Sequence, residues 1–154
     1  MDGNRDAGLL GNWIEQVRAQ CASLSRSTMC DQSIGQLLSH APAADDGVWP
    51  CLPVRDALEQ VMSEHIGRGL HVALRNARGA HWRGEGGAQE RVIAAKYGGW
   101  AKAMEYTHPR VAAILHELEE SYLREAEYED NDAKITRRMR SEERRVGKEC
   151  RSRW

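Results

Sequence analysis

The chain has 154 residues with 22 Lys/Arg, 23 Asp/Glu and no Phe, a composition that favours helices over sheets. No apolar run approaches the roughly 20 residues that cross a bilayer as a helix, so we expect no membrane-spanning helix. The opening residues 1–6 lack a basic segment followed by an apolar one, so we expect no secretory signal and a cytoplasmic location.

Two helices are predicted near the start of the chain. Apolar residues recur every three or four positions over residues 8–25, which places them on one face of a helix. A shorter helix is predicted over residues 30–40. Residues 42–52 contain two prolines and a glycine and therefore predict a surface loop. Within this loop we expect Trp49 to anchor on the helical core.

Two further helices are predicted over residues 53–77 and 88–105. The first begins at Pro53, which suits an opening helical turn, and carries the most regular apolar stripe of the chain. Each helix contains a pair of glycines, which we attribute to a close crossing of these two helices; a local break remains the alternative. The pairs are Gly67 with Gly69 and Gly98 with Gly99.

The last predicted helix runs over residues 107–139, with Thr107 as its N-cap. Its apolar stripe is dense as far as Tyr122 and thin beyond it. A helix of this length is about 48 Å long at 1.5 Å per residue, so its distal half would project from the bundle. Acidic residues followed by basic ones along this half favour antiparallel pairing with a second copy. The helix therefore predicts a homodimer or a partner protein.

The fifteen residues 140–154, RSEERRVGKECRSRW, resemble the translation of a short-read sequencing adapter over their whole length. The resemblance implies a non-native tail and leaves the position of the native C-terminus open. This tail holds six basic and three acidic residues, so residues 1–139 keep 16 Lys/Arg and 20 Asp/Glu, a net charge of −4. A net negative charge disfavours nucleic acid as a partner, because phosphate binding needs a basic field. No family is recognised in residues 1–139.

The predicted fold is therefore all-α: a single domain over residues 1–139, truncated or complete, with about five helices. Its one unusual segment is the glycine- and arginine-rich junction over residues 75–91. Glycines there permit backbone N–H groups to converge on an anion beside the positive end of the next helix. Arginines would supply bidentate contacts, and a tryptophan would stack on a planar ligand. The candidate site residues are Arg75, Arg78, His81, Trp82, Arg83, Gly86, Gly87 and Arg91.

The same junction is also explained without a ligand. Glycines end helices and shape turns, and ion pairs with Glu85 and Glu90 would neutralise the arginines. The segment matches neither of the glycine-rich phosphate-binding motifs. His81 is the best acid–base candidate, but no nucleophile lies in a recognisable setting, so the sequence leans away from an enzyme.

Metal and cofactor sites are not predicted. Cys21, Cys30 and Cys51 are spaced as neither a disulfide framework nor a paired zinc motif, and we interpret them as reduced thiols. Adding His40 would complete a zinc ligand set by residue type alone. His116 and Glu120 share a helical face, but no second such pair completes a di-metal site.

Two functions follow from these patterns. The first is a protein-interaction or assembly module acting through residues 107–139. The alternative is an anion-, phosphate-ligand- or nucleic-acid-binding module that uses the loop over residues 75–91. The identity of any ligand and the oligomeric state stay open.

Overall fold

The computed structural model describes residues 3–79 and 84–151, and the side chains of residues 7–79 and 84–145. Throughout those ranges all regular structure is helical, which confirms the all-α class. None of the described helices is long and apolar enough to cross a membrane. The helices are α1 (Gly3–Ser23), α2 (Ser27–Leu38), α3 (Leu52–Val61), α4 (Glu64–Asn76), α5 (Ala88–Met104) and α6 (Pro109–Arg151).

The single helix predicted over residues 53–77 is wrong, because the chain breaks between α3 and α4. Ser63 adopts an extended conformation, and its hydroxyl oxygen accepts the N–H of Ile66 at 3.2 Å, which caps α4. The same hydroxyl donates to Asp31 of α2 at 2.6 Å, and Asp31 in turn pairs with Arg18 of α1 at 2.8 Å. The break is thus fixed by a network that joins three helices.

Glycines do allow two helices to cross closely, but the helix pair is not the predicted one. A Cβ atom on Gly69 would lie 2.1 Å from the backbone oxygen of Gln32, and one on Gly35 would lie 2.2 Å from that of Ile66. Glycine is therefore needed where α2 crosses α4. Gly98 of α5 faces the carboxylate of Glu119 on α6, so the predicted crossing of glycine pairs between residues 53–77 and 88–105 is wrong.

The core is built from three helix pairs, α5 on α6, α2 on α4 and α1 on α3. Its fully buried side chains include Ile14, Leu58, Ile66, Leu70, Met104, Leu115 and Leu118. The loop over residues 42–52 closes on this core. Trp49 is buried, as predicted, and its indole N–H donates to the oxygen of Ala41 at 2.7 Å. Its ring also contacts Trp100 of α5.

Candidate functional site

Arg75 lies in the last turn of α4 and points at α6. Its guanidinium donates to the hydroxyl of Ser121 and to the carboxylate of Glu125, the latter at 3.2 Å. The same group lies 5.4 Å from the centre of the Tyr122 ring, within cation–π range. Three side chains on one face of α6 therefore bind the guanidinium of Arg75.

Arg78 follows α4 and bridges to the first turn of α5. Its Nη2 lies 2.9 Å from Oε1 of Glu90 and 3.4 Å from the side-chain oxygen of Gln89. Glu90 is only 1% exposed. A carboxylate at that depth is stable as an ion only when it is paired with a cation, and Arg78 contributes to compensating this buried charge.

The N-terminal end of α5 is occupied by a carboxylate from the protein itself. Asp130 of α6 accepts the backbone N–H of Gly87 at 2.9 Å through one oxygen and pairs with Arg91 through the other. The hydrogen bond from Arg91, followed by that from Gly87, lowers the pKa of Asp130 below its usual value. The positive end of α5 is thereby neutralised from within the fold.

The glycines of the junction permit this close approach. A Cβ on Gly87 would lie 2.2 Å from the backbone oxygen of Ala126, so α5 begins in direct backbone contact with α6. Gly86 has a φ of +81°, a conformation that side chains other than glycine rarely adopt. Next to it, Glu85 pairs with Arg137 at 2.6 Å, further along α6.

The predicted site residues therefore divide into two groups. The structure brings Arg75, Arg78 and Arg91 together with carboxylates of α5 and α6, and uses Gly86 and Gly87 to seat α5 on α6. The other three, His81, Trp82 and Arg83, lie outside the described residues. The convergence on Asp130 was missed from the sequence because this residue is 43 positions from Gly87 and lies in a run of acids.

The N-terminal end of α6 is capped in the same way, by a distant carboxylate. Glu59 of α3 accepts the backbone N–H groups of Arg110 at 2.9 Å and Val111 at 3.3 Å. The prediction that Thr107 is the N-cap is wrong, since its hydroxyl donates back to the oxygen of Met104. These contacts join the start of α6 to α3.

Beyond Ala126, α6 has one anchored side and one open side. Asp130 and Arg137 lie on the anchored side, facing the start of α5. On the opposite side of the helix, three apolar side chains lie within a sector of about 40° around the helix axis, at 3.6 residues per turn. We call them the distal stripe: Tyr128, Ile135 and Met139, which are 68%, 58% and 59% exposed.

A second open apolar surface lies between the first two helices. It is a shallow groove of about 390 Å³, which we call the α1–α2 groove, lined chiefly by apolar side chains of both helices. Met29 and Leu37 at its rim are 67% and 56% exposed. Its lining residues are Trp13, Val17, Cys21, Arg26, Met29, Cys30, Ser33, Ile34 and Leu37.

A more polar cleft of about 600 Å³ separates α4 from α6. His71 and Glu117 face each other across it, with 3.9 Å between Nδ1 and the carboxylate oxygen. Burial lowers the pKa of His71, which favours a neutral imidazole at neutral pH. Ser63 also lines the cleft, but its hydroxyl is committed to Asp31. The cleft thus holds the pair of His71 and Glu117, but the hydroxyl of Ser63 is not available to act as a nucleophile beside it.

No group of three or more His, Cys, Asp or Glu side chains is arranged to hold a metal ion within the described part of the chain. The zinc set considered from the sequence, Cys21, Cys30, His40 and Cys51, is therefore not assembled. The three cysteines are free thiols. Burial, followed by a hydrogen bond with Cys21, raises the pKa of Cys30 to about 11.

Comparison with known proteins yields no match to a family model, a curated protein or a solved structure. Function is therefore inferred from the geometry of the chain's own surfaces.

Proposed function

We propose that this chain is a cytoplasmic protein-interaction module that assembles with a second copy of itself through the distal stripe. The observation that carries the proposal is the two-sided character of α6 beyond Ala126. One side is fixed to the bundle by Asp130 and Arg137, while the opposite side exposes Tyr128, Ile135 and Met139 in a row.

The fixed side makes the exposed side suitable for binding. A helix that is already held in place loses little conformational freedom when a partner docks on it. The distal stripe spans about 16 Å of such a helix at 1.5 Å per residue. An apolar row on a pre-ordered helix is the arrangement used in helix-in-groove recognition.

The pattern of charge around the stripe favours a second copy as the partner. Exposed Glu127 and Asp132 surround its first half, whereas exposed Lys134 and Arg138 follow in the second half. Both signs are therefore present on one short surface, so a surface of a second copy that also carries both signs meets complementary charge. Such complementarity guides association and fixes its register.

The alternative function, anion or nucleic-acid binding by the loop over residues 75–91, has less support. An external anion at the start of α5 would compete with the carboxylate of Asp130, which already accepts the N–H of Gly87. Arg75, Arg78 and Arg91 would each have to leave a carboxylate partner. The cost of breaking these pairs opposes binding.

Sedimentation velocity of the full chain over a range of concentrations tests the proposal. We expect a monomer–dimer or higher equilibrium in wild type, and a dissociation constant at least about tenfold larger for Ile135→Glu, which places a charge in the apolar contact. Val92→Glu is the matched control, since Val92 is also an exposed aliphatic residue, on α5. A wild-type chain that stays monomeric at all concentrations contradicts the proposal.

A further inference from the structure

We propose that the distal stripe of one copy docks in the α1–α2 groove of another, rather than against a second stripe. This inference rests on the proposed function and specifies the surface that receives the stripe. The two surfaces are the open apolar row of α6 and the open apolar groove of the α1–α2 pair.

The groove has the form of a helix pair that lacks a third helix. Trp13 and Val17 on α1 face Met29 and Leu37 on α2, and Ile34 lies buried at the bottom. An antiparallel helix pair with apolar side chains on both rims buries them when another helix lies along the groove. Exposed apolar patches of this kind mark contact surfaces.

The area available also favours the groove over a pairing of two stripes. Stable interfaces bury about 1,200–2,000 Å² in total, and the distal stripe offers three apolar side chains per copy. Docking in the groove adds the exposed parts of Trp13, Met29 and Leu37 to the buried apolar surface. If two stripes pack against each other instead, Trp13, Met29 and Leu37 stay exposed to solvent.

Charge gives the docked helix a direction. Arg26 lines the groove at the turn between α1 and α2, and the C-terminal, negative end of α2 lies at the other end, beside Leu37. The acidic half of the stripe, with Glu127 and Asp132, complements Arg26. The basic half, with Lys134 and Arg138, complements the end of α2. Tyr128 is thus placed near Arg26 and Met139 near Leu37.

The two surfaces also match in length. Along α2, the lining residues from Met29 to Leu37 span about 12 Å, and the stripe from Tyr128 to Met139 spans about 16 Å, at 1.5 Å per residue. Ile135, about 10 Å from Tyr128 and about 6 Å from Met139 along the helix, then lies over the groove nearer to Leu37, with the outer two side chains at the ends of the groove.

A mixing experiment with two full-length variants tests this contact. Met29→Glu disables the groove and keeps the stripe, whereas Ile135→Glu disables the stripe and keeps the groove; both residues are exposed, so the fold is retained. We expect each variant alone to associate at least tenfold more weakly than wild type. We expect their equimolar mixture to form a heteromeric complex, because the intact stripe of one fits the intact groove of the other.

The outcomes separate this inference from the proposed function. If Met29→Glu associates as wild type does while Ile135→Glu is monomeric, the stripe mediates assembly but does not use the groove, and the inference is overturned. If both variants lose association and the mixture does not recover it, the inference is overturned as well. If wild type itself is monomeric, the proposed function fails first. Mixtures of Val92→Glu with either variant are the control, because they show the effect of the same added charge at a site outside both the stripe and the groove.

Discussion

Asp130 accepts the backbone N–H of Gly87 at 2.9 Å, although 43 residues separate them in the chain. This bond joins the first turn of α5 to the part of α6 that continues past the core. It supplies the N-terminal cap that α5 lacks locally, since Gly87 at its start has no side chain to accept a hydrogen bond. The same contact holds the distal stripe in a fixed orientation.

Replacement of Asp130 by Asn is expected to lower the thermal unfolding temperature at neutral pH. The pKa of Asp130 is lowered in the fold, so its stabilising contribution is complete above the usual carboxyl pKa of about 3.9 and is lost as pH falls through the lowered value. The wild-type and Asp130→Asn melting curves should therefore converge in acid. Asp45→Asn, at an exposed loop position, is the control. Equal melting curves at pH 7 would contradict the assigned role.

Replacement of Arg78 by Met is expected to destabilise the fold by about 1–3 kcal/mol, because it removes a cation that donates a hydrogen bond to the buried carboxylate of Glu90. The double variant Arg78→Met, Glu90→Gln should recover part of the loss, since it removes the buried charge as well. Arg124→Met, at an exposed pair with Glu120, should cost less than about 1 kcal/mol. Urea unfolding measures all three. An Arg78→Met variant as stable as Arg124→Met would show that Arg78 is a surface residue only.

Two glycine substitutions should have opposite effects. Gly69→Ala is expected to destabilise by about 2–3 kcal/mol, because its Cβ would lie 2.1 Å from the backbone of α2. Gly99→Ala, in the interior of α5 with open space around its Cβ position, is expected to stabilise by up to about 1 kcal/mol. Chemical denaturation of each variant gives the sign. A neutral Gly69→Ala would contradict the close crossing of α2 and α4.

Deletion of residues 140–154 tests the resemblance of this segment to an adapter translation. We propose that the segment takes no part in the module, and its side chains over residues 141–145 are exposed. The shortened chain should unfold within about 2 °C of the full chain and self-associate with an unchanged dissociation constant. Loss of association on deletion would assign the contact to this segment and remove the distal stripe from it.

The helices that the sequence predicted best are those whose apolar periodicity is local. The helix predicted over residues 88–105 is α5 from Ala88 to Met104, and the one over residues 30–40 overlaps α2. Periodicity of 3.6 residues depends on near neighbours alone, so it can be read without knowing the fold.

The features that the sequence did not predict depend on distant residues. The break at Ser63 needs Asp31 of α2, and the cap of α6 needs Glu59 of α3. In the sequence Asp130 is one acid among several, and only its position opposite Gly87 distinguishes it. The candidate arginines were identified by type, but their carboxylate partners could not be assigned before α5 was placed on α6.

Self-assembly through the distal stripe is measured by the molar mass of the full chain and of Ile135→Glu across a concentration series, by light scattering after size separation. We expect a mass that rises with concentration for wild type and for Val92→Glu, and a rise for Ile135→Glu that is displaced to concentrations at least about tenfold higher. A constant monomer mass for wild type, or a wild-type rise in Ile135→Glu, would contradict assembly through the distal stripe.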